Sequence, residues 1–561
     1  MTTPLTTPEA VEESAPYRWR WAALFVILAA EVMDLLDAMV TNIAAPSMRA
    51  DLGGGASTIQ WLAAAYTLAM TGGLLTGGRL GDIFGKKRMF VVGAIGFTIG
   101  SLLCAVAMSP EMLIGARVIQ GLFGAVMLPQ GLGMIKEIFP PKEMQSAFAL
   151  FGPVMGLSAV GGPILAGWLV DADFFGTGWR MIFIINLPLG VAALLGALRF
   201  LPEIRSPHPL KLDIPGVILA STGALLIIYP LVQGRENDWP AWSFVMLGAS
   251  VVVFAVFGWY EARKKGDPLI VPSLFRKRAF TGGLIVGVVF FSGMAGFMLV
   301  FNVYTQVGLG YSAIKAGLAG VPWSAGMIVG MGIMQALKRF GRKVLHGGAL
   351  LMAAGVGGVL ITLNIAGIGV TPWQLAPALI VTGIGMGLLM GPFFDIVLAG
   401  VESHETGSAS GALTATQQLG NAFGVALLGT LFFGMLGSGV TTGASDAAPK
   451  LRAELAAVQV TGAQQDRLVE GVRACGHDRA VAKDVMVAPA SCTALEREVG
   501  ATPNPQAVGA ALAGSGETAF KSGFSLAMKN VLWVVIGMLL LTFVAGFLLP
   551  KYAREEDAPA H

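Results

Sequence analysis

The stretch Trp21-Ala-Ala-Leu-Phe-Val-Ile-Leu-Ala-Ala-Glu31-Val-Met-Asp34-Leu-Leu-Asp37-Ala-Met-Val-Thr-Asn-Ile-Ala-Ala45 decides the fold. It is an apolar run of 25 residues whose only charged side chains are three acids. About 20 apolar residues suffice for a helix to cross the hydrocarbon of a bilayer, so the run reads as a membrane span. Steps of three residues turn by about −60°, which puts Glu31, Asp34 and Asp37 within an arc of about 120° on one face. Three ionised acids near the bilayer centre cost on the order of 9 kcal/mol. The ten Leu, Ile, Phe and Val residues of the run return only about 3–6 kcal/mol. The deficit implies that this face lines a polar cavity, holds protonated acids or meets a base. Burial and like-charged neighbours raise a carboxyl's proton affinity, so the cluster suits a proton-coupling site. The competing reading is an ion-paired packing position with no part in transport.

Outward from this run, similar ones recur at about 58–78, 89–108, 112–134, 146–170, 181–200, 214–233, 242–261, 280–304, 313–336, 346–367, 374–399, 408–436 and 524–549. With the first, that makes fourteen spans, and helices are the credible form because every backbone group must be satisfied internally. Basic residues orient them. With the N-terminus inside, the inner links carry Arg79 and Lys86–Arg88, Lys136 and Lys142, Arg205 and Lys211, Arg263–Lys265 with Arg276–Arg278, Lys338–Lys343, and finally Lys551 and Arg554. The short outer links hold little beyond Arg49 and Arg235, which places both termini in the cytoplasm.

Composition agrees. Of 561 residues, 55% are hydrophobic and 13% charged, with a mean hydropathy of +0.70. Such a chain is neither a soluble enzyme, a secreted disulfide scaffold nor a disordered segment. A net charge of 37 − 34 = +3 gives no reason to expect a nucleic-acid partner. Residues 1–20 hold no apolar run, so the first span is expected to be the targeting element.

Asp82-Ile-Phe-Gly-Lys-Lys87 after the second span and Lys338-Arg-Phe-Gly-Arg-Lys343 after the tenth form an internal repeat, Gly85 and Gly341 standing 256 residues apart. Two six-helix halves, 21–200 and 279–549, with two inserted spans at 213–262, make these links equivalent; repeated halves around a midplane site are how secondary transporters are built. The tails are 1–20 and 550–561. One outer segment, 437–522, is too long for a turn. Its Lys450–Val472 stretch has helical periodicity, and a second amphipathic piece falls near Thr493–Val499, so an external helical hairpin is expected. Cys475 and Cys492 lie in it, on the oxidising side, either bonded or as two free thiols.

Arg117 is the one base deep in the first half and the natural partner of the acidic face, with Gln120 three residues on. Asp395 is the clear intramembrane acid of the second half, or else an exposed helix-end carboxylate. Cargo contacts are sought in Glu31 and Asp34, in the i,i+4 pairs Asn302 with Gln306 and Gln417 with Asn421, and in the aromatic walls Trp61, Tyr66 and Phe394, which suit lipophilic cations. Around Gly85 the spacing of a phosphate-binding loop fails twice, and no metal or nucleophile motif is present. Uphill transport would therefore draw on an ion gradient, with no cofactor.

These segments together resemble the major facilitator superfamily, in its fourteen-span drug:proton antiporter branch. Gly77-Gly-Arg-Leu-Gly-Asp82-Ile-Phe-Gly85-Lys-Lys-Arg88 is similar to the family's loop between the second and third helices, which implies gating roles for Gly78, Asp82, Gly85, Lys86 and Arg88. Ile83 stands where that loop usually has a base. Leu36-Asp37-Ala-Met-Val-Thr-Asn42-Ile-Ala-Ala-Pro46 resembles the first-helix signature, and Arg117-Val-Ile-Gln120-Gly-Leu-Phe-Gly124 the fourth-helix motif whose Arg is implicated in proton coupling. Gly156-Leu-Ser-Ala-Val-Gly-Gly162-Pro163-Ile-Leu-Ala-Gly167 resembles the fifth-helix antiporter motif, which implies a further gate. Small residues there let helices approach closely. The resemblance implies an all-α integral membrane protein of fourteen helices and a monomeric bacterial inner-membrane exporter of amphipathic drugs, dyes or antibiotics, driven by protons. Asp37 is the acid of the first-helix signature, to which Glu31 and Asp34 are additions. On the reading of the acidic face, Asp34 and Asp37 would carry protons, Glu31 would meet cargo charge or be a second proton site, Arg117 would tune them and Asp395 would assist. A dedicated exporter of an endogenous metabolite, lipid or self-made antibiotic, and a non-transporting membrane sensor on the same fold, are the alternatives.

Overall fold

Helices, most of them long and apolar, account for all regular structure among the residues described in the computed structural model: 17–140, 143, 150, 154, 158, 161–205, 211–264, 266, 268–337, 340–398, 401–402, 406–482 and 486–551. In chain order they are α1 (Arg20–Leu52), α2 (Ala56–Phe84), α3 (Lys86–Ala105), α4 (Pro110–Ile138), α5 (161–171) and α6 (Gly178–Phe200). The inserted pair follows as α7 (Ile214–Gln233) and α8 (Ala241–Arg263). Then come α9 (Arg278–Val303), α10 (Ala313–Leu337), α11 (Arg342–Ala366), α12 (Pro372–Leu398), α13 (Thr406–Ala457), α14 (Ala463–Val481), α15 (Ala490–Gly500) and α16 (Pro505–Ala545). Eleven helices among the described residues are long and apolar enough to cross a membrane; α1, with its acids, and α2 are not among the eleven. About half of the fifth expected span, including Gly156, lies outside the described residues, as do Lys142, Lys265, Lys338, Arg339 and Arg554 and the side chains of Asn42 and Lys136.

Helices α1 to α4 and α6 pack on one another, and α9 to α13 with α16 form a second group. The repeated link is repeated in shape as well. Gly85 (φ 104°) and Gly341 (φ 52°) both take the left-handed backbone that turns one span sharply into the next, a conformation a side chain disfavours. These turns lie at the end of the molecule that also holds residues 17 and 551, hereafter the basic end; the opposite one is the hairpin end.

At the hairpin end α13 runs for 52 residues and α16 for 41, both well beyond the roughly 20 that a bilayer requires. Their extensions form the base on which α14 and α15 sit. Leu451, Leu455, Val460, Leu468, Val472, Val508 and Leu512 make a separate small core there, and Cys475 is disulfide-bonded to Cys492. The single helix expected over Lys450–Val472 is two pieces. Residues up to Ala457 continue α13, and the chain turns at Gln459 (φ 64°) and Gly462 (φ 63°) before α14. The turn folds Leu468 and Val472 back onto Leu451 and Leu455, which one straight helix would keep apart.

The insert has its own polar brace at the basic end. Asp213 accepts hydrogen bonds from Lys264 Nζ (2.7 Å), Tyr260 Oη (3.1 Å) and the backbone nitrogens of Gly216 (3.0 Å) and Leu269 (3.2 Å). Burial alone would raise this carboxyl, but the bonds from Lys264 and its neighbours outweigh it and bring the pKa down to about 2. A depressed carboxyl stabilises the fold above its ordinary value near 3.8, and that stability is lost as pH falls through about 2. Asp213→Asn is therefore expected to cost about 2 kcal/mol at neutral pH. Thermal unfolding in detergent should show the gap to the native protein closing between pH 4 and pH 2.

Candidate functional site

The acids of α1 meet α4, α3 and α6 where small residues let the helices close up. A Cβ on Gly100 of α3 would lie 2.9 Å from the Gln120 Cα, and one on Gly124 would lie 3.3 Å from Asp34 Oδ1. In that space Asp37 is ion-paired with Arg117 Nη1, and each side chain is 1% exposed. Asp37 Oδ1 also accepts from Gln120 Nε2 and Asn186 Nδ2, both at 2.9 Å. Ser101 Oγ accepts from the same two amides at 2.7 and 2.9 Å, and Gln120 Oε1 accepts from Arg117 Nη1 at 2.7 Å. The guanidinium lies 4.1 Å from the centre of the Tyr66 ring, a cation–π contact. Tyr66 donates its hydroxyl to Asp34.

The three acids therefore differ in their surroundings. Asp37 is saturated, Asp34 is buried with one hydroxyl on it, and Glu31 is half-buried with its Oε1 lacking a hydrogen-bond partner. Gln120 joins Arg117 as its spacing suggests. Asn186, though part of the family-like stretch Trp179–Pro188, and Ser101 are not site candidates by sequence, since one Asn or Ser in an apolar span carries no sign of which neighbour it faces. Asp395 is exposed on α12 and takes no part in this network.

The remaining candidates scatter. Trp61 stacks towards Tyr229 of the insert (5.9 Å), and Asn302 donates to Met298 O of its own helix. A π-helical turn over Tyr304–Gly308 breaks the i,i+4 register, and Gln306 donates across to Ile43 O of α1 at 2.7 Å. Asn421 pairs with Gln418 (3.0 Å) rather than Gln417, and Gln418 reaches Met70 Sδ of α2 (3.2 Å). Gln417 and Phe394 are half-buried, the latter against Phe393.

Among the gating candidates, Lys86 pairs with Glu137 and lies 4.0 Å from Asp82, and Arg88 lies 3.6 Å from Glu203. Burial, only partly offset by Lys86, holds the Asp82 carboxyl above its ordinary value. Gly78 faces Pro129, and Gly162 is buried. Pro163 and Gly167 pack at backbone distance on α10, where a Cβ on Gly167 would lie 2.5 Å from Ile314 N.

Most hydrogen bonds named between the two helix groups gather towards the hairpin end. Gln306 reaches Ile43, and Gln60 Nε2 reaches Ala426 O (3.2 Å) and Thr430 Oγ1 (3.3 Å). Asp171 accepts from Ala313 N (3.1 Å) and Ile314 N (2.8 Å). At the basic end the ion pairs Arg20–Glu143, Lys86–Glu137 and Lys277–Glu402 each stay within one group. The hairpin end is closed.

Two helix groups, a repeated basic turn at one end and a buried acid–base network within the first group describe a transporter, and residues 27–425 match the Major Facilitator Superfamily. The chain belongs to that superfamily. It is 50% identical over 547 residues to the probable actinorhodin transporter of Streptomyces coelicolor, covering 97% of this chain and 94% of that one. It is 30% identical to the tetracenomycin C resistance and export protein of Streptomyces glaucescens, over 74% of this chain and 77% of that one. In fold it resembles an autoinhibited POT family peptide transporter, with a TM-score of 0.58 at 13% identity over 93% of this chain and 96% of that one. This member is a multi-pass efflux transporter and not an enzyme.

Removing one partner of a buried ion pair strands the other. Arg117→Gln is expected to cost about 3–5 kcal/mol of stability, and the double variant Asp37→Asn/Arg117→Gln to recover much of it. A thermodynamic cycle on purified variants checks this; additive losses would mean that the pair is not coupled.

Proposed function

We propose that the protein is a proton-coupled antiporter exporting amphipathic, often cationic, drugs or antibiotics by alternating access. The observation that carries the reading is the division of the α1 acids, with Asp37 held by Arg117 while Asp34 and Glu31 keep room to exchange partners. The basic loops favour cytoplasmic termini in a bacterial inner membrane, so the hairpin end faces outward. The described state is then one closed to the outside. Cargo enters from the cytoplasm or the inner leaflet and sets its positive charge against Glu31, with Asp34 deeper. Once the outer side opens, protons from outside neutralise Glu31 and Asp34, and the cargo loses its counter-charge and leaves. Release of those protons inward restores the acidic face. Asp37 takes part through Arg117, whose position beside Tyr66 links it to Asp34, and Asp395 acts only as an auxiliary acid. The bilayer, protons and cargo are the partners of a monomer, and the proton gradient replaces any cofactor.

A second reading keeps the mechanism and narrows the cargo to one self-made antibiotic. It is favoured by the relative named as an actinorhodin transporter, whose likeness runs over 97% of this chain, external segment included.

Proteoliposomes with an imposed pH gradient, a trapped pH dye and no ATP test both readings. Proton flux evoked by several unrelated lipophilic cations is the expected result, and flux with one compound class alone would favour the dedicated exporter. Asp34→Asn and Glu31→Gln are expected to reduce evoked flux to that of protein-free vesicles while the proteins stay folded. Unchanged flux in both would remove the coupling assignment.

A further inference from the structure

The inserted pair α7–α8 is fastened to the first helix group at both ends. At the basic end Arg79 of α2 donates to Lys211 O (2.7 Å) and to Pro268 O, so it grips the chain on either side of the insert. At the hairpin end Glu236, in the link between α7 and α8, accepts from Ser57 N (2.8 Å) and Ser57 Oγ (2.7 Å). Ser57 is the second residue of α2, whose N-cap is Gly55 and supplies no side-chain bond. Glu236 thus caps α2 from a distant segment and places its negative charge on the positive end of that helix.

Among the described residues, the insert is hydrogen-bonded to the second group at the hairpin end. There Thr430 Oγ1 of α13 donates to Leu231 O of α7, while accepting from Gln60 Nε2 of α2 (3.3 Å). One hydroxyl satisfies both neighbours only while the three helices are together. Gly429 makes room, since a Cβ there would lie 3.0 Å from Gln60 Cδ. Arg235 lies 5.9 Å from the Phe433 ring. Ile228 and Val232, fully buried, share one apolar cluster with Ile59 and Leu62 of α2 and with Leu428 and Phe432 of α13.

We infer that the insert is a leaf of the outer gate: α7 travels with the first helix group, and Thr430 latches α13 onto α7 and α2 when the outside is shut. The ties to α2 include a charged carboxylate and grip both ends, whereas the named hydrogen bond to α13 is a single neutral one, so the α13 side is the one that parts. Thr430 is a positioning residue for transport. The inference rests on the alternating-access reading above.

Three spin-label pairs test it in lipid nanodiscs, in a Cys104→Ala background with Cys475–Cys492 intact. Ala50→Cys with Ser438→Cys reports outer opening between the groups; all the labelled positions are exposed. Asn237→Cys with Ser438→Cys reports insert against α13, and Asn237→Cys with Ala50→Cys reports insert against the first group. Distances are measured at acidic and alkaline pH, with and without tetraphenylphosphonium. The expected result is that the first two distances lengthen together while the third stays fixed. A fixed insert–α13 distance while the groups separate would overturn the inference and leave alternating access standing. A fixed distance in all three pairs would overturn the alternating-access reading, and the inference with it. Thr430→Val, which removes both hydrogen bonds of that hydroxyl, is expected to raise the outward-facing population at least about fivefold, and Thr430→Ser to keep the native value. Equal populations in Thr430→Val and native protein would overturn the latch.

Discussion

The ion pair between Arg117 and Asp37 is the constraint on which the first helix group depends. Both side chains are 1% exposed, and burying two charges costs several kcal/mol per ion unless geometry and further hydrogen bonds repay it. Here further bonds come from several helices: Gln120 of α4 bonds both ions, Asn186 of α6 bonds Asp37 of α1, and Ser101 of α3 holds the two amides, while Arg117 Nε is left without a hydrogen-bond partner. The network therefore fixes α1, α3, α4 and α6 in one arrangement. The small residues follow from the same requirement, because the amide of Gln120 reaches Ser101 only if α3 and α4 touch at Gly100.

Such a network also sorts three similar acids into unlike ones. Steps of three residues put Glu31, Asp34 and Asp37 on one face, and that pattern treats them alike. What separates them is the neighbour each meets. Asp37, bonded to Arg117, Gln120 and Asn186, cannot take a proton or a cargo charge without breaking bonds on two other helices. Asp34 has only the Tyr66 hydroxyl to lose, and Glu31 has less still. The cost of changing partners falls along the helix from 37 to 31, towards the basic end.

Much of this was legible in the sequence, and what was not has a physical reason. Charge and apolar length announce themselves, so the helical fold, the pairing of Arg117 with the α1 acids and the external hairpin could be read from residue types alone. Gly85 and Gly341 were visible as a repeat because a sharp turn needs glycine in the left-handed region. Ser101 and Asn186 were not, because a neutral polar residue in an apolar run gives a face but no partner. Gln306 and the Lys450–Val472 helix failed for another reason. Each was read with an unbroken period of 3.6, and a π-helical turn in one case and a left-handed turn in the other resets the register. Thr430 and Gln60 looked like ordinary helix residues, since the latch exists only between three segments far apart in sequence.

The two ends of the molecule use different interactions, and the difference follows from what must move. A seal that opens inside low-dielectric surroundings cannot strand a charge there, because an unpaired buried ion costs far more than an unpaired hydroxyl. The closure at the hairpin end keeps to that limit. Its inner hydrogen bonds are neutral, with Gln60, Thr430 and Gln306 bonded to hydroxyl and carbonyl oxygens and Gly167 packed on α10. The cation beside Phe433, Arg235, keeps its ion pair with Glu236 of its own segment. Asp171, a carboxylate that joins the groups there, is exposed, so water can replace its amide partners when α5 and α10 part. The ion pairs at the basic end lie within a single group and need not break when the groups move apart. Opening on either side can then proceed by exchanging neutral bonds for water, while the buried charge of Arg117 and Asp37 is carried along intact inside one rigid group.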